Sequence, residues 1–272
     1  MEGEGSIETT PKVTIERIKQ YLREGKRFDG REFDGFRDLV VDNNVSKKAE
    51  GSVKVKLGNT EVMAGVKVKV GEPFPDAPDE GNLIVSAELS PLSSQRYESG
   101  PPQADSIELA RVIDRGIREG GVVDMNQLAI KSGEKIWTVF VDLYALNDDG
   151  NLLDAFGIAA LGALMDAKLP KYDEENDEVL YDQPEKDMPL TDTKIFPITI
   201  RKIGGKLIVD PTKEEEDASE GRLTIGTSGG SISSMQKGEI DSFTEEEIMN
   251  SIEIADKIES EILEKIEKAL KK

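Results

Sequence analysis

Three groups of side chains in this chain have types and spacings that can do chemistry. Arg111, Arg115 and Arg118 stand at i, i+4 and i+7, so in a helix their guanidinium groups leave one face. An arginine edge of that kind suits gripping phosphate groups. Glu108 precedes Arg111 by three residues and Asp114 precedes Arg118 by four, so the same spacing also reads as a salt-bridged surface helix. The second group is the acidic run from Asp210 to Arg222, in which Glu214, Glu215, Glu216 and Asp217 are consecutive. Carboxylates are among the side-chain types on which chemistry in this chain could rest. The third is Asp148-Asp149-Gly150-Asn151-Leu152-Leu153-Asp154, an acidic turn between a strand-like and a helix-like stretch. An Asp-Gly turn closing a strand needs no ion to explain it.

The 272 residues include no histidine and no cysteine. Serine–histidine and cysteine–histidine catalysis are excluded within the chain, as are disulfides and thiolate metal sites. Chemistry would rest on carboxylates, lysine, tyrosine or a recruited cation such as magnesium, and no resident cofactor is indicated. With 33% charged and 37% apolar residues the composition is globular. The net charge of −20 does not suit a stand-alone nucleic-acid binder. Two compatible readings stay open: a solvated, thermophile-like surface, or the acidic partner of a more basic subunit. There is no apolar run near 18 residues and no basic-plus-apolar N-terminus. Together with the missing cysteine, this predicts a cytoplasmic chain with no membrane partner.

The elements that must position these groups follow from hydrophobic periodicity. Thr10 and Pro11 open a helical stripe through Val13, Ile15, Ile18 and Leu22 that ends near Gly25. Val53, Val55 and Leu57, then Val62, Ala64, Val66, Val68 and Val70, alternate with polar residues around Gly58-Asn59, which predicts a hairpin with a lysine-bearing face. Strands are predicted over 83–89 and 136–146, and helices over 103–119 and 152–169, the last rich in small residues for close packing. Residues 170–193 show little periodicity and read as a domain linker. Short strands follow over 195–201, 206–209, 222–226 and 231–235, with the glycine-rich 226–231 as a turn rather than a P-loop. Thr244 with Glu247 makes a capping-box spacing for a long final helix. The pattern predicts an α+β architecture with two layers in each half.

Several blocks carry a family resemblance. Residues 21–31 end in Arg27-Phe28-Asp29-Gly30-Arg31, and Ser90-Pro91-Leu92, Gly100-Pro101-Pro102, residues 107–119, 141–155 and 210–226 follow in order. This series resembles the RNase PH family, and in detail the non-catalytic RNase PH-like ring subunits of the archaeal exosome. The resemblance implies an RNase PH-like fold, two α/β subdomains with mixed sheets packed by helices, divided as residues 1–190 and 191–272. It implies a ring of three copies alternating with three of a catalytic homologue, carrying cap RNA-binding proteins and degrading single-stranded RNA 3′ to 5′ with phosphate.

In active relatives a loop with a Gly or Ser, a hydroxyl residue and usually an Arg holds the phosphate; the positions here are Asn151, Leu152 and Leu153. Active relatives also carry two aspartates six residues apart. Counted from Asp210 these fall on Glu216 and Arg222; moved by one residue they fall on Asp217 and Leu223. Arginine cannot act as a general acid at neutral pH and repels a metal ion. The resemblance therefore implies a pseudo-enzyme with no catalytic or metal residues, in which Arg111 and Arg115 approach RNA bound in the neighbouring subunit. The alternative is a magnesium- and phosphate-dependent 3′–5′ exoribonuclease using Glu216, Asp217 and Asp154.

Overall fold

The computed structural model describes residues 9–271. Helix α1 spans Lys12–Arg23, with Pro11 at the cap position and no capping side chain. Thr10 is therefore not the cap that its position predicts. Its amide and hydroxyl both go to the Asp217 carboxylate, at 3.2 and 2.6 Å, because a charged acceptor offers a stronger bond than a helix amide does.

The first sheet has β1 (Leu39–Asn43), β2 (Gly51–Leu57), β3 (Thr60–Gly71), β4 (Asn82–Glu88), β5 (Ala129–Lys131) and β6 (Lys135–Asn147). Its order is β1-β2-β3-β6-β4, with β5 beside β6. Strand β4 runs parallel to β6 and every other pairing is antiparallel, so the sheet is mixed. The predicted hairpin is β2–β3, turning at Gly58 with φ +59°. Val53, Val55, Leu57, Val62, Ala64, Val66 and Val68 are all buried. On the opposite face Lys54 pairs with Glu61 and Lys67 with Glu50, an ordinary charged sheet surface.

The parallel β4–β6 pairing needs a crossover, and α2 (Ala104–Glu119) lies on it. After β6 comes α3 (Leu152–Asp166). Much of the stretch 170–193, predicted as a linker, instead belongs to an antiparallel pair, β7 (Lys168–Asp173) and β8 (Glu178–Asp187), and β7 begins within the last residues of the helix predicted over 152–169. Strand β8 is mostly exposed on both faces, so it carries none of the alternation by which a half-buried strand is read. The second sheet is wholly antiparallel, ordered β10-β9-β11-β12, from β9 (Phe196–Ile203), β10 (Lys206–Val209), β11 (Gly221–Ser228) and β12 (Ser231–Glu239). The glycine-rich turn lies between β11 and β12, with Gly229 and Gly230 at positive φ. A short helix, α4 (Lys213–Asp217), precedes β11, and α5 (Glu245–Leu270) closes the chain with the predicted Thr244–Glu247 capping box.

In place of a separate helical layer for each half, α2, α3 and α5 each touch strands of both sheets. Apart from Asp154, helix α3 is apolar on every face and buried from residue 152 to residue 164, as a helix between two sheets must be. Its glycines permit the approach on either side. A Cβ at Gly157 would fall 2.1 Å from Cδ of Pro197 on β9, and one at Gly162 would fall 3.3 Å from a Val53 methyl on β2. Gly157→Ala is expected to destabilise the fold by about 1–3 kcal/mol through overpacking. Gly162→Ala should cost much less, since a valine can give and alanine favours the helix. Thermal melting of the two variants checks this; an unchanged melting temperature for Gly157→Ala would contradict the seating of β9 on α3.

Candidate functional site

The end of β6, the start of α3 and the segment after β10 meet at one place. Gly150 has φ +86°, and a Cβ there would lie 2.5 Å from the Thr212 carbonyl carbon, so only glycine lets the Asp148–Gly150 turn pack against residues 211–213. Asn151 follows in the left-handed conformation, at φ 60° and ψ 39°, and caps nothing with its side chain. Its Nδ2 turns inward and donates to Asp154 Oδ2 and Asp210 Oδ1, both at 3.0 Å.

The backbone amide of Asn151 donates to Glu216 Oε1 at 3.0 Å. The same oxygen accepts from Arg201 Nη2 at 3.0 Å, and Lys213 Nζ reaches Oε2 at 3.2 Å. Lys213 is also 2.9 Å from Asp148; burial alone would lower its pKa, but the Glu216 and Asp148 carboxylates raise it overall. The electropositive start of α3, a guanidinium and an ammonium thus converge on a carboxylate of the chain itself. Leu152 and Leu153 are buried and add no anion-binding group.

The other predicted residues go elsewhere. Asp217 takes a two-pronged contact from Arg96, at 2.7 and 2.6 Å, besides Thr10. Burial would raise its pKa, but the Arg96 and Thr10 hydrogen bonds bring it down to about 2. Asp154 is fully buried, and its Oδ2 accepts from the Thr199 amide at 3.1 Å. Glu216, Asp217 and Asp154 therefore do not converge, and among the described residues no three carboxylates are grouped to hold a metal ion. Arg222 reaches across to Glu108 on α2.

On α2 the three arginines differ. Arg118 is held by Asp114 and by the Leu83 carbonyl, both at 2.8 Å. Arg115 is exposed and donates to Gln236 Oε1 on β12 at 3.0 Å. Arg111 is exposed, with no hydrogen-bond or ion-pair partner among the described residues. Reading the sequence alone misses the arginines that tie the site together: Arg27, Arg31, Arg37, Arg96 and Arg201. The Arg-x-Asp-Gly-Arg block marks Arg27 and Arg31 without naming their partners, and no motif marks Arg37, Arg96 or Arg201.

Asp154 makes the site sensitive to pH. Burial, with the Asp210 carboxylate adding to it, outweighs the Thr199 and Asn151 hydrogen bonds and raises its pKa to about 7. Its Oδ1 and the Asn151 Oδ1 are both buried without a partner. The folded chain holds this proton more tightly than the unfolded chain does. The stabilisation is complete below the ordinary carboxyl pKa of 3.8 and is lost as pH rises toward about 7. The slope is at most about 1.4 kcal/mol per pH unit. Asp154→Asn keeps the shape and cannot titrate, so it should flatten that slope in denaturant unfolding between pH 4 and 8. An identical slope in the variant would rule Asp154 out as its source.

The 3′ exoribonuclease family, domain 1, matches residues 35–170, and domain 2 of the same family matches residues 195–258. The exosome complex component Rrp42 of Thermococcus onnurineus is 48% identical over 267 residues, covering 97% of this chain and 98% of that protein. Its namesake in Archaeoglobus fulgidus is 50% identical over 219 residues, covering 79% and 81%. A chain of the Archaeoglobus fulgidus exosome with RNA bound to the active site is similar at a TM-score of 0.82 and 44% identity, over 89% of this chain and 93% of that one. Rice Rrp46, at 19% identity and a TM-score of 0.67 over 90% of this chain and all of that one, shares the fold. Both domains of one family, in order and joined by relatives of nearly half-identical sequence, place this chain in the 3′ exoribonuclease (RNase PH) family.

Proposed function

We propose that this chain is a non-catalytic RNase PH-like subunit of an archaeal exosome ring. It alternates with a catalytic homologue, three copies of each, orders that partner's active site and lends Arg111 and Arg115 to the path of single-stranded RNA. Cap RNA-binding proteins dock on the ring, and the complex works in the cytoplasm, degrading RNA 3′ to 5′ with phosphate. The division into residues 1–190 and 191–272 belongs to the same reading.

One observation carries the non-catalytic part. The Glu216 carboxylate lies against the start of α3, held by the Asn151 amide, Arg201 and Lys213. A phosphate ion would have to displace this carboxylate, and Leu152 and Leu153 would give nothing in return. The position counted as the second family aspartate holds Arg222, which is engaged with Glu108. The alternative, an exoribonuclease built on Glu216, Asp217 and Asp154, lacks support because those carboxylates are held by separate partners.

Two outcomes are expected. Phosphate-dependent release of nucleoside diphosphates from a 3′-single-stranded RNA with magnesium should be absent for this chain alone and appear when the catalytic homologue is added. Robust release by the isolated chain would establish the enzymatic alternative instead. In the assembled ring, Arg111→Glu with Arg115→Glu should weaken RNA binding by roughly tenfold or more at moderate salt. Unchanged affinity would make the chain a structural subunit without RNA contact.

A further inference from the structure

Glu108 is the wrong charge in the wrong place for an arginine edge that faces RNA. It precedes Arg111 by three residues and Arg115 by seven, so all three share one face of α2. Left free, it would pair with Arg111 at the i+3 spacing and compete with a phosphate for that guanidinium. It is not free. Arg222 of β11 holds its Oε1, and Gln236 Nε2 of β12 donates to the same oxygen at 2.9 Å. Gln236 meanwhile accepts from Arg115 at 3.0 Å through its own Oε1. The side chains form a continuous line: Arg222, Glu108, Gln236, Arg115.

The second sheet leaves room for this arrangement. Gly238 stands directly opposite Arg222 in the β11–β12 register. A Cβ at Gly238 would lie 2.6 Å from Arg222 Nη2 and 2.7 Å from its Nε, so the guanidinium crosses β12 where a side chain is missing. The Arg222 side chain is only 14% exposed, while that of Glu108 is 40% exposed, so the arginine is the anchored member of the pair.

We infer that Arg222 is a positioning residue for the RNA-facing edge: it sequesters Glu108 so that Arg111 stays unpaired, and through Gln236 it steadies Arg115. This rests on the proposed contact of Arg111 and Arg115 with RNA. An arginine that cannot serve catalysis at this position thereby gains a use, in keeping a carboxylate away from the phosphate backbone.

The test is binding of a short fluorescent single-stranded RNA to the assembled ring, without phosphate, across a salt series. Arg222→Met should weaken binding by about 3- to 10-fold and make the salt dependence shallower by roughly 0.7 in log–log slope, the value of one lost phosphate contact. Glu108→Gln in the same chain should restore both affinity and slope, which simple damage to the fold would not allow. Glu108→Gln alone, which does not depend on Arg222 variants assembling, should bind RNA as well as the parent or more tightly. Overturning results are unchanged affinity in Arg222→Met, no rescue in the double variant, or a several-fold loss in Glu108→Gln alone. If Arg111→Glu with Arg115→Glu weakens binding while Arg222→Met does not, only this inference fails. If neither set matters, the RNA-contact reading fails first.

Discussion

The buried carboxylate of Asp210 is the point on which the site depends. It is inaccessible to solvent and accepts from Arg31 Nη1 at 2.8 Å, from the Arg37 amide, Nε and Nη2 at 2.7, 2.9 and 2.7 Å, and from Asn151 Nδ2 at 3.0 Å. Removing such a charge from water is costly, and only a full set of donors offsets the cost. Those donors come from two distant parts of the chain, the loop after α1 and the start of α3, and they meet on a residue that directly follows β10. Arg27, also buried, adds a pair with Glu215 and bonds to the Val209 and Asp210 carbonyls. Because Arg37 also binds the Asp149 and Gly150 carbonyls, the turn before α3 is held in the same grip. Asn151 is thereby set with its amide toward Glu216.

The acidity of the chain has a local structure that the net charge hides. Beside α3, three consecutive carboxylates of the acidic run each meet a specific cation: Glu216 with Arg201 and Lys213, Asp217 with Arg96, Glu215 with Arg27. Most of these pairs are shielded from solvent and weakly screened by salt, unlike the exposed pairs on the lysine face of β2–β3. Arg111 and Arg115, neither with a carboxylate partner among the described residues, are on the exposed face of α2. A phosphate-binding edge in an acidic protein requires this separation, since any unpaired carboxylate nearby would neutralise it.

Regular elements with one buried face were legible in the sequence. The alternation around Gly58-Asn59 identified β2–β3, and the small residues of α3 marked a helix that must pack closely, here against both sheets. The Thr244 capping box placed the start of α5 to the residue. Strand β8 was not legible, because neither face is buried and no pattern records it. The cap assigned to Thr10 failed for a different reason: Asp217, 207 residues away, takes its hydroxyl. Local rules weigh neighbours in sequence and cannot see such a competitor.

For the site, the sequence alone determined residue types: no histidine or cysteine, leucine at 152 and 153, arginine at 222, and arginines spaced along one helix face. Those facts bound the chemistry, because side-chain identity sets what can ionise or donate. Which groups meet was decided only by the tertiary structure. Asp210 gathers its donors, Glu216 fills the start of α3, and Arg222 takes Glu108 across sequence separations of up to 179 residues. The physical reason is that a buried charge is stable only in the geometry that satisfies it, and that geometry exists once the two sheets have closed on α3.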